Sequence, residues 1–199
     1  ARRRALREVR GAWMARLLRL VSGAEKLAGA LAAVALCLML AIAAGDVAMR
    51  YVFNKPFAFA YDFISLYLMV ALFYLALSGA FAHNAHVAVD ILHNFMSPTL
   101  RRICETLVCG VSAALFALIA AVGLQRAATA YAAGDAIAGA IDWPAWASVA
   151  FVPLGAGLLC LRLTLHFVGH LLSLFAPTPL IDLPPVSGST EAMDREMGE

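Results

Sequence analysis

A cluster of histidine and aspartate side chains is the part of this sequence best suited to chemistry. Its members follow one another at steps of three, four and three residues: His83, His86, Asp90 and His93. On a helix this spacing places all four side chains on one face, and imidazole and carboxylate groups are ligands of zinc and related metals. The same pattern is typical of a polar helix end at a membrane surface. We favour that structural interpretation, so the sequence predicts neither a metal site nor a cofactor.

A second candidate is the pair His166 and His170, which lie four residues apart. Paired histidines on membrane helices can ligate haem, so a haem-binding four-helix redox anchor stays open as an alternative function. The sequence contains no nucleophile arrangement, glycine-rich phosphate loop or pair of catalytic carboxylates. We therefore predict that the protein is not an enzyme.

The elements that must carry these residues are membrane helices. Of the 199 residues, 63% are hydrophobic and only 14% are charged, and the mean hydropathy is +0.82, which excludes a water-soluble globular domain. About 20 apolar residues are needed to cross the hydrocarbon core as a helix, and four runs without charges have that length. They predict an all-α membrane protein with spans at about 27–49, 62–82, 104–126 and 143–165.

Charge divides the chain into three parts. Residues 1–26 carry eight basic and two acidic groups, residues 27–175 carry six of each, and residues 176–199 carry one basic and five acidic groups. A basic cluster directly before a hydrophobic span indicates contact with the membrane surface and not with nucleic acid. We predict a basic amphipathic leader at 1–26, a four-helix membrane domain at 27–175 and a disordered acidic tail at 176–199.

The basic residues that flank the spans also predict an orientation. One side of the predicted membrane domain collects eleven of them and the other side only three. Basic residues are enriched on the cytoplasmic side, so both termini are expected in the cytoplasm. Near the outer side, Asp46 and Arg50 are spaced to form an ion pair, and Asp62 begins the second helix, where a carboxylate favours the exposed amides. Pro98 suits the start of the third helix, which we expect to extend beyond residue 125 before an outer loop.

Several motifs in this order resemble a known family, the small DctQ-type membrane subunit of tripartite ATP-independent periplasmic (TRAP) transporters. The resemblance lies in the segment from Asp46 to Pro56, in Tyr61 and Asp62 with the Leu-Tyr-Leu sequence at 66–68, and in the segment at 85–92. Two positions depart from the family pattern. Asp62 stands alone where the family has a pair of carboxylates, and Asn84 replaces a frequent glycine.

The resemblance implies a scaffold subunit in a bacterial inner membrane, bound stably to a larger elevator-like subunit that holds organic acid and sodium ions. A separate periplasmic binding protein would dock transiently on the outer face, where residues 50–62 and 125–144 are expected to lie. Six residues are candidates for partner contacts or for structural roles: Asp46, Arg50, Tyr61, Asp62, His86 and Asp90. We expect His86 and Asp90 to hold the cytoplasmic end of the second helix.

Overall fold

The structure, a computed structural model, describes residues 2–82, 98–139 and 141–174. Its helical elements are α1 (Arg2–Phe53), α2 (Ala60–Phe63), a π-helical turn (Ile64–Leu68), α3 (Met69–Ala82), α4 (Pro98–Ala133) and α5 (Ala145–Leu174). Two short strands, β1 (Ala136–Ile137) and β2 (Trp143–Pro144), form an antiparallel hairpin between α4 and α5. The third long helix begins at Pro98, as predicted.

Four helical segments are long and apolar enough to cross a membrane, which confirms the predicted number of spans. They are Leu17–Phe53, Ala60–Phe81, Thr99–Ala133 and Ala145–Ser173. A helix satisfies its own backbone hydrogen bonds, which a chain surrounded by hydrocarbon must do. All four segments are longer than the predicted spans. The first and third continue past charged residues on both sides, the second begins before Asp62, and the fourth continues past Arg162.

The first helix is uninterrupted across the boundary that we predicted at residues 26 and 27. Helix α1 contains no proline and runs for 52 residues, or about 78 Å at 1.5 Å per residue. It ends at Phe53 and is followed by Asn54, whose φ of 54° lies in the left-handed region, a conformation that asparagine tolerates better than most residues. The leader backbone therefore continues the first span directly, while the amphipathic face proposed for the leader remains a prediction.

Helix α5 is the centre of the membrane domain, because it contacts α1, α3 and α4. Its side chains Ala156, Leu159 and Leu163 are almost completely buried. At Gly155 the backbone of α5 passes so close to the carbonyl oxygen of Tyr74 that an added Cβ would overlap it. Small residues permit this kind of close approach between membrane helices.

The start of the second span departs from regular α geometry. The π-helical turn Ile64–Leu68 lies between α2 and α3, and the hydroxyl of Ser148 on α5 donates a hydrogen bond to the carbonyl of Leu66 within it. This hydrogen bond joins α5 to the irregular turn.

The long helices meet at two ends, which we call the hairpin end and the polar end. The hairpin end holds β1, β2, the last turn of α1 and the start of the second span. The polar end holds the final residues of α3 and α5 with the start of α4. Residues 83–97 and 175–199 lie outside the described residues, and so do the cluster with His86 and Asp90 and the predicted acidic tail.

Candidate functional site

A buried polar cluster joins three helices near the polar end. Glu25 of α1 is only 5% exposed, and its carboxylate accepts a 2.5 Å hydrogen bond from the fully buried hydroxyl of Ser78 on α3. The guanidinium of Arg162 on α5 forms an ion pair with the other carboxylate oxygen. We call these residues the three-helix cluster.

The three-helix cluster lies near one boundary of the hydrocarbon layer. Arg162 follows the first residue of α5, Ala145, by 17 positions, and Ser78 follows the first residue of α2, Ala60, by 18. At 1.5 Å per residue both are about 26 Å from the hairpin end, against a hydrocarbon thickness of about 30 Å. A buried charge without a partner is costly, and the buried Glu25 carboxylate is compensated by the Arg162 guanidinium and by the hydrogen bond from Ser78.

Beyond this cluster, a line of polar side chains follows one face of α5 toward its end. Arg162 is succeeded at steps of four, four and three by His166, His170 and Ser173. The ring of His166 packs edge-on against Phe81 at 5.7 Å between centroids, and Arg102 of α4 donates a 3.4 Å hydrogen bond to the carbonyl of Ser173. The polar end is therefore lined with hydrogen-bonding groups from four helices.

The two histidines of α5 do not form a recognisable cofactor site. Their ring centroids are 6.2 Å apart, and His170 is only 3% exposed. Because both project from successive turns of one helix, they cannot approach a haem iron from opposite helices. The described residues give the haem alternative no support, and within them no three histidine, cysteine or acidic side chains come together to hold a metal ion.

At the hairpin end, Asp46 and Arg50 form the ion pair that their spacing predicts. The Arg50 guanidinium lies 2.8 Å from one oxygen of the Asp46 carboxylate, and Arg50 is 61% exposed. The other Asp46 oxygen accepts a 2.7 Å hydrogen bond from the backbone N–H of Phe57. Asp46 thus ties the end of α1 to the connection that follows it.

The other two predicted residues of this region have separate surroundings. Asp62 lies in the first turn of α2, as expected, and its carboxylate lies so close to Gly139 that a Cβ there would overlap it. Tyr61, its neighbour in sequence, is 81% exposed. The structure therefore pairs Asp46 with Arg50, holds Asp62 against the hairpin connection and leaves Tyr61 on the surface.

An aromatic cluster attaches the hairpin to the second span. The Trp143 ring lies 5.4 Å from the ring of Phe63 and 5.5 Å from that of Tyr67, measured between centroids. The Tyr67 hydroxyl donates a 2.7 Å hydrogen bond to the carbonyl of Pro144. Aromatic packing and this one hydrogen bond hold the hairpin in place.

Sequence reasoning missed the pairing of Glu25 with Arg162, because both were counted as charges flanking a span. The spacing of the buried residues in α1 indicates that Glu25 is buried. Glu25 precedes the buried residues Ala28, Ala32 and Ala35 at steps of three, four and three, so it continues the buried stripe of α1. A carboxylate on the packed face of a membrane helix needs a buried partner.

Between α4 and α5 the described residues form an open groove of about 450 Å³ toward the hairpin end. Its lining consists of apolar residues, namely Ala120, Ala121, Leu124, Ala127, Ala150, Pro153 and Leu154. Such a surface fits hydrocarbon chains or an apolar helix. It offers no hydrogen-bonding or charged side chain to an organic anion.

The chain has the features of a multi-pass α-helical membrane protein, namely four potential spans, a central α5 and paired charges at both ends. Residues 38–173 match the family model of tripartite ATP-independent periplasmic transporters, DctQ component. The chain belongs to this family, which confirms the resemblance derived from the motifs, and its members are transporter components and not enzymes. Comparisons with curated proteins and with solved structures find no match.

Proposed function

We propose that the chain is the small scaffold subunit of a sodium-coupled TRAP transporter for organic acids. In this role it supports a large elevator-type subunit in a stable complex within the bacterial inner membrane. The observation that carries the proposal is the family match over four spans. The apolar lining of the groove between α4 and α5 supports a division of labour in which the large subunit binds organic acid and sodium.

We assign the polar end to the cytoplasm, and with it both termini. The support is the excess of eleven flanking basic residues on this side over three on the other, because basic residues are enriched on the cytoplasmic side. Cysteines introduced at Asn54 and Gly134, near the hairpin end, are then accessible to an impermeant thiol reagent added from outside. Cysteines at Arg7 and Ser187 are protected, and labelling of either terminus from outside contradicts the orientation.

The hairpin end is our candidate docking surface for the periplasmic binding protein. It exposes large aromatic rings, with Tyr51, Tyr61 and Tyr131 all more than two-thirds exposed, and tyrosine is enriched at protein interfaces. Replacing Tyr61 and Tyr131 with serine is expected to weaken docking. Leu20→Ser is the matched control, because Leu20 is 72% exposed but lies toward the polar end.

The decisive experiment joins copurification with uptake. The tagged chain is expressed with and without the large subunit and reconstituted with the binding protein, a sodium gradient and labelled organic acids. We expect a stable complex that takes up solute only when all components are present, and no solute binding by the small chain alone. Saturable binding of an organic acid by the isolated chain contradicts the scaffold role, and a haem absorbance band in the purified chain favours the redox alternative.

A further inference from the structure

We infer that the three-helix cluster sets the axial position of α1 and that it closes only after the last span is in place. Glu25 and Arg162 are then positioning residues of the scaffold and touch no substrate. Glu25 lies outside the stretch that matches the family model, residues 38–173. Family membership therefore does not assign this role to it.

Helix α1 is packed mainly through small side chains. Its buried positions near the polar end are mostly alanines, including Ala28, Ala32 and Ala35. A stripe of alanines permits close contact between helices. If α1 slid by one helical turn along its neighbours, alanines would again face them, so this stripe alone specifies the axial position of α1 only weakly. A buried charged group matched to a single partner does specify register.

The buried Arg162 guanidinium relies on Glu25 for charge compensation. Arg162 pairs with Glu25, and its Nε atom is buried without a hydrogen-bond partner in the described structure. On the same face of α5 the next polar side chains are His166 and His170, which provide no negative charge. Removal of the Glu25 charge therefore leaves a buried guanidinium with no described carboxylate to compensate it.

The two charged residues of the cluster lie far apart along the chain. Glu25 and Arg162 are separated by 137 positions, in the first and the last of the four spans. The pair cannot form until α5 has been inserted beside α1. Ser78 of α3 completes the cluster from the helix between them, so the contact forms only when three spans are assembled.

The test uses variants of the full chain in which one charge is removed, Glu25→Gln and Arg162→Gln, and compares them with the double variant. The matched control is Arg50→Gln, which breaks an exposed ion pair. Thermal unfolding of the purified chain is expected to shift down by about 10 °C in each buried single variant, and the double variant should recover at least half of this loss. The control should melt within about 1 °C of the unmodified chain.

Limited trypsin digestion reports on the position of α1 separately from overall stability. Lys26 is exposed and adjoins Glu25, so cleavage after Lys26 should accelerate about tenfold in the single variants through local opening of α1. Cleavage after Arg126, which is exposed and lies toward the hairpin end of α4, should keep its original rate. Faster cleavage at both sites contradicts a role confined to the axial position of α1.

If a single variant does not accumulate in the membrane, the amount of the double variant tests the inference instead. Recovery of accumulation in the double variant supports the inference, because only a mutual charge requirement predicts it. A double variant as poor as the worse single variant overturns the inference. So do single variants that melt and digest like the unmodified chain.

Discussion

The two ends of the membrane domain are held together by different interactions. At the polar end, the buried ion pair of Glu25 and Arg162 joins helices that are distant in sequence. At the hairpin end, the aromatic rings around Trp143 pack against the second span, while the ion pair of Asp46 and Arg50 spans one turn of a single helix and is exposed. A buried charge pair therefore links distant helices at the polar end, whereas the ion pair at the hairpin end stays within one helix and aromatic packing contributes to the long-range contacts.

The difference follows from what each end has to connect. The hairpin end contains a short strand pair and a tight connection between α1 and α2, so large rings fill the irregular space between them. At the polar end the helices run side by side without such connections in the described part of the chain. Directional contacts are needed there to distinguish one axial position from the next.

Trp143→Ala is expected to have the largest effect among the variants that test the difference between the two ends. Loss of the ring removes the packing against Phe63 and Tyr67 and should reduce the free energy of unfolding by about 3 kcal/mol. Thermal unfolding measures the loss. Trp146→Ala, which removes an exposed ring that contacts Tyr131, should cost clearly less, and equal losses would contradict the special role of the Trp143 cluster.

An intermediate effect is expected for Ser78→Ala at the polar end. The variant removes a hydrogen bond to the buried Glu25 carboxylate and should cost about 2 kcal/mol, because bonds to charged groups are stronger than neutral ones. In a background that already carries Glu25→Gln, the same substitution should cost much less. A loss of the same size in both backgrounds would show that Ser78 acts independently of Glu25.

The smallest effect is expected for Tyr67→Phe at the hairpin end. The ring and its packing remain, while the hydrogen bond to the Pro144 carbonyl is lost, so the cost should be about 1 kcal/mol. Thermal unfolding and thiol labelling of a cysteine at Asp135 would report stability and hairpin opening. A loss as large as that of Trp143→Ala would mean that the hydrogen bond, and not the ring packing, holds the hairpin.

Length and hydropathy were sufficient to predict the four spans, because the hydrocarbon layer imposes the same minimum length on each helix. Local spacing likewise predicted the pair of Asp46 and Arg50, which needs only one helical turn. The pair of Glu25 and Arg162 depends on which helices are neighbours, and charge counts contain no such information. Spacing predicted an extended third helix but gave no indication of the strand pair at 136–137 and 143–144.

The π-helical turn at Ile64–Leu68 has a consequence for how this chain tolerates changes of length. Such a turn contains one residue more than an α turn, and the second span therefore resembles a regular helix that has absorbed a single inserted residue. Deleting one residue there would restore regular geometry but rotate everything before it by about 100° relative to α3. Asp62 would then turn away from Gly139, so the extra residue sets the angular alignment between the membrane helix and the connection that carries Gly139.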